Sequence, residues 1–448
     1  MRTSVAIIGA GFSGTLTAIH LLRSPSHEIK LDIYLIDPRG TFGPGLAYSP
    51  PSERFKLNVR AKAMGAFPDD VEGFARWAKQ RYPTISPDDF APRRYYGEYL
   101  CDLLEQASCQ PTGHTLHRVH DEAVDISKRS DGGEWTIILK SGVELCVEAC
   151  VVAVGNIMQT PSESAALFRK PFDPRSYEDL PTLSSIFILG SGLTAVDTIL
   201  ECEGRGFTGT YTVLSRHGRF PRPHEDLPAA AVANLPNDWD TRGSVRTLVS
   251  TIRAESRRLG SSQPVFDAMR PKIQSMWRNL SLSERKRFLR HVRPVWDIHR
   301  HRIPSEHAAV LERLQSTHRL HLLAGRLVEC AQEGKRLAIA IRERALAGTT
   351  VQRTVDVAFR CTGPEADITK TDNPLLRAFH AHALVEPGPL GLSPLCVREG
   401  AIPLWLLGPL QREDLWEITA VREIRQQAQD VAAEVHVFRR NTATPRKQ

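Results

Sequence analysis

The chain has no apolar run near the ~18 residues that would suggest a membrane span, and no Cys-x-x-Cys pair. It also lacks a basic n-region followed by a separate apolar stretch; it opens directly on the strand-like Ser4–Ile8. These absences argue against a spanning segment and a signal peptide. They argue equally against a zinc knuckle and a thioredoxin-like redox pair. The eight cysteines are scattered at Cys101, Cys109, Cys146, Cys150, Cys202, Cys330, Cys361 and Cys396, so a reduced, cytoplasmic protein is expected. Hydrophobic residues at 41% and charged residues at 24% exclude global disorder. A length of 448 residues suggests two to four domains.

The charge is uneven. Between Thr251 and Arg302 stand 13 Lys and Arg against 4 Asp and Glu, so +9 of the net +7 lies there and −2 elsewhere. Such a segment suits an anionic ligand or partner. It lacks interleaved aromatics, so nucleic acid is not an expected partner.

The pattern that carries most is a strand–glycine turn–helix–strand unit that occurs twice. Val5–Ile8 is apolar and β-suited, Gly9-Ala-Gly11-Phe12-Ser13-Gly14 follows, Thr15–Arg23 has helical spacing, and Leu31–Ile36 ends at Asp37. In such a turn Gly9 allows the tight bend, Gly11 lets backbone approach a pyrophosphate, and Gly14 packs helix on strand. The helix N-terminus turns unpaired N–H groups toward the phosphates. Asp37, 23 residues past Gly14, stands where an acid can hydrogen-bond an adenosine ribose. The pattern restarts at Ile186–Leu189 with Gly190-Ser191-Gly192-Leu193-Thr194-Ala195, and its second strand, Thr210–Leu214, ends at Ser215-Arg216. An arginine there pairs with a 2′-phosphate and favours NADP over NAD; a solvated surface arginine is the alternative.

Two nucleotide folds in one chain resemble the two-dinucleotide flavoproteins, in which the first site binds FAD and the second NAD(P)H. Val151–Asn156, with Gly155, looks like the segment returning to the FAD domain; Arg360–Pro364, with Gly363, resembles its counterpart after the NADPH domain. Leu407-Gly408-Pro409 resembles the segment that meets the flavin ring and pyrophosphate. Gly43-Pro-Gly45-Leu-Ala-Tyr48, Leu57–Ala61 with Met64-Gly65, Pro92–Gly97, Trp296–Arg302 and Leu415–Ala420 are similar to a bacterial group. That group includes HpyO-type FAD-dependent urate hydroxylase and CreE-type amino-acid N-hydroxylases.

The resemblance implies an α/β fold with two Rossmann-like domains. The FAD domain, 1–160 and 360–448, is discontinuous. The NAD(P)H domain, 180–359, is inserted, and 222–315 forms a helical basic insertion within it. The implied chemistry is monooxygenation: NADPH (or NADH) reduces FAD, O₂ adds at flavin C4a, and the peroxide hydroxylates a small polar, anionic molecule such as urate or an amino acid. The expected place is where flavin ring and nicotinamide meet. A reductase that passes electrons on without oxygenation is the rival. No Phe-x-Gly-x-x-x-His occurs, which disfavours a Baeyer–Villiger reaction; Phe172–Tyr177 occupies that linker.

Candidate catalytic residues are Asn58 and Arg60, after the expected flavin loop, and His299 and His301, which alternate with Arg300 and Arg302. Asn58 could hydrogen-bond the flavin, and Arg60 could hold anionic substrate or flavin charge; both could instead tie down a loop. The His–Arg run would present two faces on a strand, could converge on an anion from a loop, or could be a structural salt-bridge cluster. Trp416 and Glu417 either face the flavin or cap the last helix. Arg93 and Arg94 bind phosphate or stay at the surface. His114, His117 and His120 read as a strand that would not converge three rings, so no metal is expected. Asp131-Gly-Gly signals a hairpin, Ser281–Glu284 a capping box, Leu415–Val437 a closing helix, and Asn441–Gln448 a frayed tail.

Overall fold

The computed structural model describes residues 2–25, 30–129, 133–157, 166–228, 231–346, 348–364, 367–396 and 402–443. The chain divides into two compact units: Met1–Ser49, Val59–Thr160 and Pro364–Gln448 form the first, Pro50–Asn58 and Pro161–Gly363 the second. Segment 50–58 was expected in the FAD-type domain and instead belongs to the second unit. Its side chains explain this. Phe55 is buried in the second core beside Phe172. Ser52 and Arg54 reach the fully buried Glu201 carboxylate, and Lys56 pairs with Glu306 at 2.6 Å.

The first unit is built on a parallel five-stranded sheet, in the order β17-β7-β1-β2-β3. These strands are β1 (Arg2–Ile8), β2 (Lys30–Ile36), β3 (Thr115–Val119), β7 (Ala149–Val152) and β17 (Leu404–Leu406). Val5, Ala6 and Ile7 are fully buried, as expected of a strand covered on both faces. Helix α1 (Phe12–Arg23) packs against α3 (Arg93–Ser108) and the last helix, α12 (Val421–Ala443); α2 (Gly73–Arg81) lies against α3. An antiparallel meander, β4 (Ala123–Lys128), β5 (Trp135–Leu139) and β6 (Glu144–Val147), lies against α11 (Pro374–Ala381). Strands β15 (Val385–Pro387) and β16 (Pro394–Cys396) pair separately.

The second unit has seven strands in the order β13-β12-β11-β10-β9-β14-β8. Its parallel part is β8 (Phe168–Arg169), β14 (Val357–Arg360), β9 (Ser185–Leu189), β10 (Thr210–Ser215) and the start of β11 (Leu320–Glu333). From Gly325 onward β11 turns antiparallel to β12 (Arg336–Glu343), which pairs with β13 (Thr350–Val355). The apolar run Val355–Phe359 is divided between β13 and β14. Asp356 makes the corner, its Oδ2 accepting from Ser184 N and Ser185 N at 2.7 and 2.8 Å. Helix α4 (Leu193–Gly204) follows the second glycine turn.

Among the described residues the basic insertion holds six α-helices: α5 (Val245–Leu259), α6 (Gln263–Met269), α7 (Ile273–Asn279), α8 (Leu282–Arg287), α9 (Arg293–Arg300) and α10 (Ser305–Ser316). Helix begins only at Val245, since the described residues of 222–244 form none. Ser281 caps α8, but the box is not reciprocal: Glu284 instead accepts from Val245 N at 2.7 Å and pairs with Arg287. The closing helix starts at Val421 rather than Leu415. The hairpin signal at Asp131-Gly132 and the end of the polar tail lie outside the described residues.

Candidate functional site

Both glycine turns are closed the same way. In the first, Gly9 N donates to Ile36 O at 2.8 Å and Ala153 N to Ile8 O at 2.7 Å. In the second, Gly190 N donates to Leu214 O at 2.8 Å and Cys361 N to Leu189 O at 2.8 Å. Gly9 (φ +103°) and Gly190 (φ +110°) are left-handed, and a Cβ on either would collide with the carbonyl of Ala153 or Cys361. The returning strands thus press directly on the turns.

Gly11 is different. It is extended (φ −78°, ψ −169°), and a Cβ there would have only the Gly45 Cα, at 3.6 Å, within 4 Å. No side chain caps α1, whose first turn carries the buried Phe12 and Ser13, and Gly14 packs on Gly9 O. Gly45 faces Gly11, and a Cβ on it would lie 2.8 Å from the Gly11 Cα. Gly408 lies on Ser13: its Cβ would stand 2.9 Å from Ser13 Oγ. Three chain segments with bare backbone therefore surround the start of α1, a fit for the pyrophosphate of a dinucleotide.

Asp37 is buried, and its carboxylate already serves the turn. Oδ2 accepts from Ala10 N at 2.9 Å, Oδ1 from Arg39 N at 3.0 Å, and the Arg39 guanidinium reaches both oxygens at 3.0 Å. Burial pushes its pKa up, but the Arg39 and Ala10 hydrogen bonds outweigh that and hold it below the ordinary value. Sequence reasoning did not anticipate Arg39. It also missed Gln427 on α12, whose Oε1 accepts from Gly408 N at 2.8 Å while its amide donates to Gln411, clamping the Gly408 turn. A helix residue so far from the turn leaves no local signal. Gly155 and Gly363 stand in open space, with nothing within 4 Å of an added Cβ. Trp416 and Glu417 are buried just before α12.

In the second turn Gly192 is also open, α4 lacks a side-chain cap, and a fully buried Ala195 holds the third motif position beside Thr194. Ser191 Oγ donates to Arg219 O at 2.6 Å, and Ser215 Oγ accepts from Gly218 N at 3.0 Å. Arg216 is exposed at the end of β10. Ser215 is in register with Ala324, and Arg344 N donates to Ala324 O at 2.8 Å, so Arg344 arrives at the same corner. Burial lowers the His217 pKa, and Arg344, Arg216 and Arg219 lower it further. Arg344 comes from the antiparallel extension, which periodicity did not reveal.

The catalytic candidates are divided between the two units. Asn58 lies in the second unit, where its carbonyl accepts from His224 Nε2 at 3.0 Å. Arg60 lies in the first, donating Nη1–H to Asp88 O at 2.7 Å and lying over the Phe90 ring at 5.2 Å. His299 and Arg300 end helix α9, and His301 is its C-cap, so the run is neither strand nor loop. His299 Nδ1 is 2.7 Å from Ser262 Oγ and its ring stacks on Phe266; burial lowers its pKa, and Arg222 and Arg302 lower it further. The buried Arg302 pairs with Asp267 at 2.6 Å.

All four acids of the basic segment are ion-paired within it: Glu255 with Arg258, Asp267 with Arg302, Glu284 with Arg287, and Asp297 with Arg293. Arg285, one of the segment's cations, is bound locally: its Nε donates to Trp277 O and Leu280 O, both at 3.0 Å, binding the end of α7. Arg94 pairs with Glu98 at 3.5 Å at the start of α3.

His114 accepts from Leu31 N at Nδ1 (3.0 Å) and lies 3.1 Å from Ser24 O at Nε2, which makes it a neutral strand-end histidine. His117 stacks on Tyr34, and His120 approaches Pro38 O at 3.2 Å. Among the described residues no group of three His, Cys, Asp or Glu could hold a metal ion, and no helix is long and apolar enough to cross a membrane.

The geometry defines a protein with two dinucleotide-type α/β units, and the comparisons agree. Residues 6–157 match a family described as FAD-NAD(P)-binding. No curated protein matches the chain. Its fold is similar to the ornithine hydroxylase of Pseudomonas aeruginosa (14% identity, 98% of this chain and 100% of that one, TM-score 0.66). It is also similar to an FAD-bound cadaverine monooxygenase of Erwinia amylovora (12%, 96% and 94%, 0.65). A third similar fold is the ornithine N-hydroxylase of Kutzneria sp. 744 with FADred, NADP+ and L-orn (14%, 99% and 100%, 0.61).

Proposed function

We propose that this chain is an FAD-dependent, NAD(P)H-using monooxygenase that hydroxylates a small polar substrate of the amino-acid class. The observation that carries the reading is the pair of identically closed dinucleotide turns in one chain. Likeness over the whole length to N-hydroxylating enzymes supports it. FAD, when bound, supplies the two-electron acceptor for NAD(P)H and the centre at which O₂ is activated.

The chain's own residues do the rest. Gly11, Gly45 and Gly408 bring bare backbone to the FAD pyrophosphate, and the N–H groups of Phe12 and Ser13 at the start of α1 meet its charge. Asp37 holds that turn in shape through Ala10 and Arg39. Gly192 and the N-terminus of α4 receive the NADPH pyrophosphate. Arg216, Arg219 and Arg344, gathered around His217, form a corner of positive charge suited to a 2′-phosphate. Gly155 and Trp416 in the first unit and Gly363 in the second stay candidates for cofactor contact. Asn58, Arg60, His299 and His301 stay candidates for substrate handling. A cytoplasmic setting is part of the proposal, and the seven cysteines whose side chains are described are free.

The test is NADPH oxidation and O₂ consumption with ornithine, lysine, cadaverine, aspartate and urate, followed by product mass spectrometry. One oxygen added to a substrate, matched to NADPH consumed, is the expected result. Tight NADPH oxidation with no oxygenated product from any of them would establish a reductase instead.

A further inference from the structure

A ladder of aromatic rings runs through the first unit beyond its glycine turn. The Tyr48 and Tyr96 centroids are 4.7 Å apart, and both rings meet Phe12, the first residue of α1, at 6.1 and 5.8 Å. From Tyr96 the rings continue to Tyr99 at 5.7 Å, to Trp77 at 5.6 Å and to Tyr82 at 6.1 Å. Tyr82 stacks on Tyr95 at 3.6 Å. Every step joins adjacent rings. Helical spacing assembles them: Tyr95 and Tyr99 lie one turn apart on α3, as do Phe74 and Trp77 on α2.

The two ends of the ladder differ chemically. Tyr96 is fully buried, and its hydroxyl has no hydrogen-bond partner among the described residues. Burial holds its phenol far above the ordinary pKa. At the outer end the half-buried Trp77 donates Nε1–H to Asp102 Oδ2 at 2.8 Å, and the half-buried Tyr82 donates its hydroxyl to Glu98. Glu98 and Asp102 are four residues apart on one face of α3. A phenol or indole that loses an electron becomes a strong acid. A ring with a proton acceptor in place is therefore oxidised more easily than one without. Oxidation is thus harder at the inner tyrosines and easier at Trp77 and Tyr82, a gradient that points outward. Packing alone explains the rings; it does not require that both outer donors be matched to carboxylates.

We infer that this ladder is a radical-transfer path that carries one-electron oxidising equivalents from the dinucleotide end of the unit to its surface. The inference rests on the reading that the first unit holds FAD and works with O₂. An oxidant of the hydroxyl-radical class, formed when a reduced metal ion from solution gives one electron to the hydrogen peroxide released by uncoupled turnover, takes one electron from Tyr48 or Tyr96 and, with a solvent proton, becomes water. The electron deficiency passes through Tyr99 to Trp77 or Tyr82. There the N–H or O–H proton moves to Asp102 or Glu98, leaving a neutral ring radical, and the carboxyl returns its proton to solvent. A thiol in solution then restores the ring by giving up one hydrogen atom, becoming a thiyl radical. No carbon bond in the protein is made or broken.

The test uses the full-length protein with FAD retained, without oxygen, under brief blue illumination, which makes the flavin a one-electron oxidant of nearby rings. Transient absorption reads tyrosyl and tryptophanyl radicals. The expected result is a long-lived tryptophanyl signal that is lost in Trp77→Phe. A Glu98→Gln/Asp102→Asn variant, which keeps every ring, should lose most of the long-lived radical while its flavin content and melting temperature stay unchanged. An undiminished tryptophanyl signal in Trp77→Phe, or an undiminished long-lived radical in the carboxamide variant, overturns the inference. Protein that purifies without FAD and cannot be reloaded overturns the cofactor reading beneath it, a separate and recognisable failure.

Discussion

Gly11→Ala separates what the glycine turn does for the protein from what it does for a ligand. Gly11 is extended, a conformation open to alanine, and the nearest atom to a new methyl is the Gly45 Cα at 3.6 Å, an ordinary contact. The apoprotein should therefore keep its stability, or gain ~0.4–1 kcal/mol because alanine restricts the unfolded chain. The methyl would nonetheless occupy the space a pyrophosphate needs. Losing a charge-assisted hydrogen bond costs ~1.5–3 kcal/mol, which weakens FAD binding about 10- to 150-fold. Gly9→Ala should behave oppositely. At φ +103°, against the Ala153 carbonyl, it should destabilise the empty protein itself by ~1–3 kcal/mol. The assay is FAD titration by flavin fluorescence, paired with thermal unfolding of each apoprotein. Unchanged FAD affinity in Gly11→Ala would show that no phosphate approaches there. A Gly11→Ala apoprotein destabilised like Gly9→Ala would show that protein already fills the space.

Arg216→Ala should raise the Michaelis constant for NADPH ~10- to 150-fold and leave NADH nearly unchanged; equal effects would remove Arg216 from the 2′-phosphate. Asp37→Asn should cost ~1–3 kcal/mol at neutral pH, read by denaturant unfolding. Because the folded-state pKa of Asp37 is depressed, its contribution is present above the ordinary aspartate range and is lost as pH falls through the folded value, so the gap to Asp37→Asn should close in acid. Arg285→Ala should lower stability by ~1–3 kcal/mol, because three carbonyls lose their donor. If exposed charge steers an anionic ligand, kcat/KM should fall with ionic strength while kcat holds; neutralising the exposed Lys286 and Arg290 should flatten that slope, and a flat slope in the unmodified enzyme would refute steering.

Local rules made much of this molecule legible. Gly9 and Gly190 answer to turn geometry and Gly14 to close packing, all within a few residues of a strand, so both units could be read from the sequence. The strand runs at Val5, Leu31, Ile186 and Thr210 are apolar because parallel strands are covered on both faces. The stretch from Thr251 to Arg302 announced its charge surplus but not its use. Arg285 and Arg287 are bound locally, and only the fold shows which cations remain outward.

What the sequence could not decide depends on partners distant in the chain. Segment 50–58 belongs to the second unit because Glu201, some 150 residues on, offers a buried carboxylate to Ser52 and Arg54. Arg344 joins Arg216 only through the register of β10, β11 and β12. Gln427 reaches Gly408 from the closing helix, and Trp77 and Tyr82 meet acids on a neighbouring one. Composition and periodicity record the energy of short-range choices, a turn's φ or a strand's burial. Hydrogen bonds between distant segments leave no such trace, because their geometry exists only once the sheets and helices have packed.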